Sequence, residues 1–166
     1  MRTAVLGVGN ILLSDEGVGV RAIEALMDRY TFSVEMECID GGTMGLDLLP
    51  FIEGKDRLLI IDAVNAGRPP WTVIMIGDED IPKFLGQKLS VHQIGLPEML
   101  SAAALMSILP EEICLIGMQP EKLETGLSLS GVVSARFNDL ISAVITKLSE
   151  WGIEAAERPV VSVPQG

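Results

Sequence analysis

The chain has 166 residues, of which 48% are hydrophobic, a length and composition typical of one domain with a single core. Twelve basic and 23 acidic side chains give a formal net charge of −11, which repels phosphate backbones and anionic membrane surfaces. Nucleic acid and membrane partners are therefore not expected. No run of about 18 apolar residues occurs, and Cys38 and Cys114 form no C-x-x-C pair, so we expect a cytoplasmic protein with free thiols.

The first half of the chain alternates strand and helix patterns. The apolar run 3–6 precedes a glycine pair, which predicts a buried strand and a tight turn. Ser14 and Asp15 are expected to cap the next helix, whose apolar side chains recur at helical spacing. Residues 34–38 alternate polar and apolar, as in an edge strand, and the glycines in 40–43 indicate a turn. A short helix is predicted over residues 44–53.

The second half continues the alternation. The aliphatic run 58–61 predicts a central parallel strand that ends at Asp62, and residues 71–76 repeat this pattern. The sequence then predicts, in order, a loop containing His92, a helix at 97–108, a strand at 113–117, a loop at 119–130 and a last helix that stops at Gly152.

This order of elements predicts an α/β fold, a three-layer sandwich in which a mostly parallel sheet of about five strands has helices on both faces. We assign residues 1–155 to a single domain and residues 156–166 to a C-terminal tail that we expect to be poorly ordered. In open sheets of this kind, ligands bind beyond the carboxyl ends of the strands.

That rule nominates Glu16, Asp62 and His92, which follow three different predicted strands. Taken singly, each has a structural explanation: a helix-dipole partner, a strand-end cap and a surface or core histidine. Together they can converge on one divalent cation, for which zinc, nickel, manganese and iron all remain candidates. A dinucleotide site is disfavoured, because Leu12 replaces the third glycine of G-x-G-x-x-G and Asp15 would repel a phosphate.

Four segments in this order resemble the hydrogenase maturation endopeptidases: Gly7-Val8-Gly9-Asn10 with Asp15-Glu16, then Asp40-Gly41-Gly42-Thr43, then Asp62, and then His92-Gln93 with Gly95-Leu96. The resemblance implies an endopeptidase that removes a C-terminal extension from the large-subunit precursor of a nickel-iron hydrogenase after nickel insertion. It also implies that Glu16, Asp62 and His92 bind the metal. The nickel is expected to arrive with the substrate, and another divalent metal could replace it in crystals.

The resemblance leaves the catalytic residues open. Asp40 and Asp62 are the candidates, for either an aspartyl-type or a metal-assisted peptidase, and Asn10, Gly41, Gly42 and Thr43 are candidates to line a substrate channel. One alternative function is a non-proteolytic nickel-binding accessory protein for hydrogenase assembly. A nucleotide-binding regulator is a weaker alternative.

Overall fold

The computed structural model describes residues 1–86 and 95–159. A 3-10 turn precedes each of the first two helices, at Ser14–Gly17 and Gly45–Leu48. The remaining elements, in chain order, are β1 (Thr3–Val8), α1 (Val18–Arg29), β2 (Tyr30–Phe32), β3 (Glu37–Gly42), α2 (Leu49–Ile52), β4 (Arg57–Ala63), β5 (Val73–Gly77), α3 (Ile81–Gly86), α4 (Leu96–Leu105), β6 (Glu112–Met118), α5 (Gly131–Glu150) and β7 (Ala155–Glu157).

The main sheet has the strand order β3-β1-β4-β6-β5. The pairs β1–β3, β1–β4 and β4–β6 are parallel, and β5–β6 is antiparallel. The predicted α/β fold with a mostly parallel sheet of about five strands is therefore confirmed. β3 occupies one edge, as predicted, and the carboxyl ends of β1, β3, β4 and β6 meet along one side of the sheet.

Two strand predictions need correction. Residues 71–76 were expected to form a covered parallel strand, but β5 is an antiparallel edge strand on which Met75 is exposed. The connection from β4 contains no helix and is shorter than the dozen or more residues that a parallel crossover needs. The strand predicted at 34–38 instead begins at Glu37 and runs through the glycine pair that was expected to turn.

The glycine pair remains in the strand, and Gly41 packs closely against Leu6 of the neighbouring strand β1. A Cβ at this position would lie 2.6 Å from Leu6 Cδ1 and 3.1 Å from the Gly7 carbonyl oxygen, so a larger residue would displace the Leu6 side chain. The backbone leaves the extended conformation only at Gly42, where φ is +43°. The turn therefore follows β3 and lies beside the first loop.

Helices cover both faces of the sheet, as the three-layer prediction requires. One face packs against α1 and α5 and includes Val5, Leu26, Ile61 and Val144. The opposite face packs against α2 and α4; its buried residues include Leu6, Ile52, Ile60 and Met99. Since neighbouring residues of a strand point to opposite faces, consecutive positions of β1 and β4 contribute to the two cores alternately.

The segment that follows α5 is hydrogen-bonded to the end of α1 and to β2. Gly152, with φ of +79°, ends the helix as predicted. β7 then pairs with β2, and the Arg158 N–H donates to the Arg29 carbonyl at 2.7 Å. Ala156 and Glu157 are thus in a strand although the sequence placed them in a poorly ordered tail, and residues 160–166 lie outside the described residues. Among the described helices, none is long and apolar enough to span a membrane.

Candidate active site

The first loop folds back over the carboxyl end of β1 because Gly9 allows it. Gly9 has φ of +131°, and a Cβ there would lie 1.9 Å from the Glu16 carbonyl oxygen. Its N–H donates to the Gly42 carbonyl at 2.9 Å. Asn10 tightens the same loop, since its Oδ1 accepts a hydrogen bond from the Leu12 N–H at 2.9 Å. Gly9 therefore joins the turn that contains Glu16 to the end of β3.

Asp15 does not cap α1, which corrects the sequence prediction. The helix begins after Gly17 without a side-chain cap. The buried Asp15 carboxylate instead accepts hydrogen bonds from the backbone N–H groups of Glu121, Lys122 and Ser130 and from the Ser130 hydroxyl, at 2.7 to 2.9 Å. No local sequence pattern indicates this role, because every hydrogen-bond partner of Asp15 is more than 100 residues away in the chain. Asp15 thus fixes loop 119–130 against the turn that carries Glu16.

Glu16 and Asp62 form a buried pair of carboxyl groups. Glu16 is 3% exposed and Asp62 is fully buried. The turn that carries Glu16 packs against β4, at whose carboxyl end Asp62 lies. Burial raises the pKa of Asp62 well above its ordinary value, the Ala63 N–H opposes this shift, and the charge of Glu16 adds to it. The structure therefore brings together two of the three residues nominated from the sequence.

The two oxygens of Asp62 have different surroundings. Oδ1 accepts a hydrogen bond from the Ala63 N–H at 2.7 Å. Oδ2 is buried and has no hydrogen-bond partner among the residues that the structure describes. A buried carboxylate oxygen is costly unless a proton or a cation compensates it. The chemistry of this donor set, two carboxyl groups in a buried crevice, is compatible with a divalent cation.

His92, the third nominated ligand, lies outside the described residues. In residues 1–86 and 95–159, no group of three His, Cys, Asp or Glu side chains is placed to hold a metal ion. The metal site built from Glu16, Asp62 and His92 therefore stays a prediction. α4 begins four residues after His92 in the sequence, and its cap Gly95 packs against Gly45 beyond the end of β3.

An open groove of about 310 Å³ lies between the first loop and the end of β3. The candidate channel residues Asn10, Gly42 and Thr43 line it together with Asp40. Asp40 is exposed, and its Oδ1 accepts a hydrogen bond from the Gly42 N–H at 3.1 Å. Gly41, the fourth channel candidate, does not line this groove, because it packs inward against Leu6.

The two candidate catalytic acids occupy different faces of the sheet. Asp62 is two residues from both Ile60 and Val64, so it points to the same face of the sheet as they do. Ile60 and Val64 belong to the core under α2 and α4. Asp40 is two residues from Cys38 and points to the same face, and Cys38 packs against the core under α1 and α5. Asp40 also lines the groove together with Val20 of α1. The site therefore has two parts, a buried carboxyl pair and an open groove with one acid, and the loop at Gly9 connects them.

Such a crevice, beyond the carboxyl ends of a mostly parallel sheet, is where α/β enzymes bind their ligands. The family model for HycI, described as hydrogenase maturation protease, matches residues 20–147. The hydrogenase 2 maturation protease of Escherichia coli strain K12 is 41% identical over 162 residues, which cover 97% of this chain and 99% of that protein. HoxM of Cupriavidus necator, a hydrogenase expression/formation protein, is 44% identical over 168 residues, covering 96% and 83%.

The fold comparison agrees with the sequence comparison. The solved structure of HybD, the hydrogenase maturating endopeptidase of Escherichia coli, superposes with a TM-score of 0.89 at 41% identity and covers 95% of this chain and 98% of that one. The chain belongs to the hydrogenase maturation protease family, as the resemblance predicted. It is an endopeptidase, which disfavours both the accessory protein and the nucleotide-binding regulator.

Proposed function

We propose that this endopeptidase removes the C-terminal extension of the large-subunit precursor of a nickel-iron hydrogenase, and that it acts only on precursor that already carries nickel. In this proposal Glu16, Asp62 and His92 recognise nickel presented by the precursor. The observation that carries the proposal is the buried Asp62 Oδ2, which has no hydrogen-bond partner among the described residues and lies next to a second carboxyl group.

An incomplete set of ligands explains why nickel would arrive with the substrate. Two carboxylates and one imidazole leave coordination positions open, so they bind a free ion less well than a complete set does. The same three groups complete the coordination of an ion that the precursor already holds. The ion would also compensate the negative charge of the buried pair, and productive binding would therefore depend on nickel occupancy.

Asp40 is the residue we assign to proton transfer. Hydrolysis of a peptide bond needs a group that takes a proton from the attacking water and returns one to the leaving amine. Among the residues that line the groove, Asp40 alone has an ionisable side chain. Because Oδ1 of Asp40 already accepts a hydrogen bond from the Gly42 N–H, we assign the proton transfer to Oδ2. The substrate backbone would then lie along Asn10, Gly42 and Thr43.

The test compares nickel-loaded with nickel-free precursor and reads the masses of the products. We expect the wild-type protein to cut only the loaded form. Glu16→Gln and Asp62→Asn each remove a carboxylate charge, and His92→Ala removes the imidazole, so each should lower the cleavage rate about 100-fold. The control is Glu24→Gln, a matched substitution at an exposed residue of α1 that pairs with Arg21. Equal cleavage of both precursor forms would contradict the nickel requirement.

Nickel binding by the isolated chain provides a second readout. Equilibrium dialysis should show weak binding of free nickel, because the ligand set is incomplete without the precursor. Micromolar or tighter binding combined with no cleavage of either precursor form would instead favour the non-proteolytic accessory function.

A further inference from the structure

Three large apolar side chains are exposed next to the groove. Ile11 is 37% exposed, Leu12 is 56% exposed and Leu127 is 67% exposed. They belong to two loops that run side by side, since the Gly126 N–H donates to the Leu12 carbonyl at 2.9 Å and Leu13 forms a β-bridge with Gly126. We call these three residues the apolar rim.

The backbone that carries the apolar rim is firmly held. The Ser14 N–H donates to the Gly126 carbonyl at 2.9 Å, and Arg21 Nη2 donates to the Leu127 carbonyl at 3.0 Å. The buried Asp15 carboxylate adds four hydrogen bonds between the same two segments. A surface fixed in this way loses little conformational entropy when a partner binds, which favours tight association.

The chemistry and the position of the rim indicate what it binds. Its side chains are uncharged although the chain has a net charge of −11, so the surface suits an apolar segment. Ile11 and Leu12 also line the groove that contains Asp40 and Thr43, which makes the rim continuous with the groove. We propose that Ile11, Leu12 and Leu127 bind an apolar segment of the hydrogenase precursor next to the peptide bond that is cut. This inference rests on the proposed function.

Leu105 provides a matched control. It is 88% exposed and ends α4. The chain then enters β6 at Glu112, whose N–H donates to the Asp56 carbonyl immediately before β4. Leu105 thus lies towards the amino ends of the strands, across the sheet from the groove. A leucine substitution at this position has the same chemistry as one in the rim but does not alter the proposed surface.

The experiment measures the dissociation constant of nickel-loaded precursor for full-length wild-type and variant proteins, by titration, with cleavage followed in parallel. We expect Leu12→Gln and Leu127→Gln each to weaken binding about tenfold, the size typical of an anchor residue in an interface. Leu105→Gln should bind as wild type does. Leu12→Met, which keeps the apolar surface, should bind within about twofold of wild type.

The possible outcomes separate this inference from the proposed function. Unchanged binding by Leu12→Gln and Leu127→Gln would overturn the inference, and so would an equal loss in Leu105→Gln or Leu12→Met. If the wild-type protein cuts loaded and unloaded precursor equally while the rim variants bind about tenfold more weakly, the inference stands and the nickel requirement fails. If the wild-type protein does not bind precursor at all, both fail.

Discussion

Asp15 accepts hydrogen bonds from both donors of Ser130, with its Oδ1 2.7 Å from the backbone nitrogen and its Oδ2 2.8 Å from the hydroxyl oxygen. The two residues are 115 positions apart in the chain. Since Glu16 follows Asp15 directly and Ser130 caps α5, this contact connects the proposed metal ligand to the last helix of the fold. The position of the turn that carries Glu16 therefore depends on a buried acid that has no proposed chemical role.

We expect Asp15→Asn to lower the free energy of unfolding by about 2 to 4 kcal/mol. The amide would place an NH₂ group where four donors converge, leaving buried donors without an acceptor. Urea unfolding measures the loss. Ser130→Ala removes one of those donors and the cap of α5, so it should cost about 1 kcal/mol. A loss below about 0.5 kcal/mol for Asp15→Asn would contradict this account.

Gly19→Ala should also destabilise the protein, by about 1 to 3 kcal/mol. Alanine at a helical glycine usually gains up to about 1 kcal/mol. Here, however, the added Cβ would lie 2.2 Å from the Ile61 carbonyl oxygen and 2.5 Å from that of Val8, and backbone atoms move only with the sheet. Thermal or urea unfolding tests this.

The control for Gly19→Ala is Gly131→Ala, at the first residue of α5, where a Cβ would meet no atom within 4 Å. It should be neutral or slightly stabilising. Equal effects of the two substitutions would show that α1 does not require its close contact with β1 and β4.

The order of elements and the proximity of Glu16 to Asp62 could be predicted from the sequence because both depend on local patterns. The aliphatic run that ends at Asp62 marks a covered parallel strand. The loop after β1 must lie at the same edge, which brings Glu16 close to Asp62. Family membership was predicted from the segments around these residues, and it is confirmed.

Features that depend on contacts distant in the sequence could not be predicted in the same way. Asp15 was read as a helix cap, the common role of an acid in that position, whereas its partners lie in loop 119–130. Gly41 was read as a turn residue, but it lies in β3 and packs closely against Leu6. The direction of β5 is set by its pairing with β6, which its own apolar pattern does not specify.

The stability of the metal-free protein should depend on pH through Asp62. Burial raises its pKa in the folded protein above the ordinary value of 3.8, so the folded state binds this proton more tightly than the unfolded chain does. The stabilising contribution of protonated Asp62 is therefore fully present at low pH, below 3.8. It is lost as the pH rises above 3.8 and through the raised pKa of the folded state.

Asp62→Asn cannot ionise, so we expect the metal-free variant to be more stable than the wild-type protein at neutral pH. The difference should shrink as the pH falls towards 3.8. Urea unfolding of both proteins at a series of pH values measures it, and the subtraction removes the other titrating groups. Glu16→Gln should make this pH-dependent loss of stability smaller and complete at a lower pH, because without the Glu16 charge the folded-state pKa of Asp62 is raised less. If the difference in unfolding free energy between Asp62→Asn and the wild-type protein does not vary with pH, the raised pKa of Asp62 is contradicted.

Asp40 can be tested by separating its charge from its hydrogen bond. Asp40→Asn keeps an oxygen that accepts from the Gly42 N–H but cannot carry a proton in catalysis, whereas Asp40→Ala loses both functions. If Asp40 transfers the proton, both variants should lower kcat for the nickel-loaded precursor at least about 100-fold. Asp40→Asn should unfold at the same urea concentration as wild type. Cleavage by Asp40→Asn within about threefold of wild type, together with a large loss in Asp40→Ala, would mean that Asp40 only shapes the end of β3, and the proton would then have to be transferred by another group.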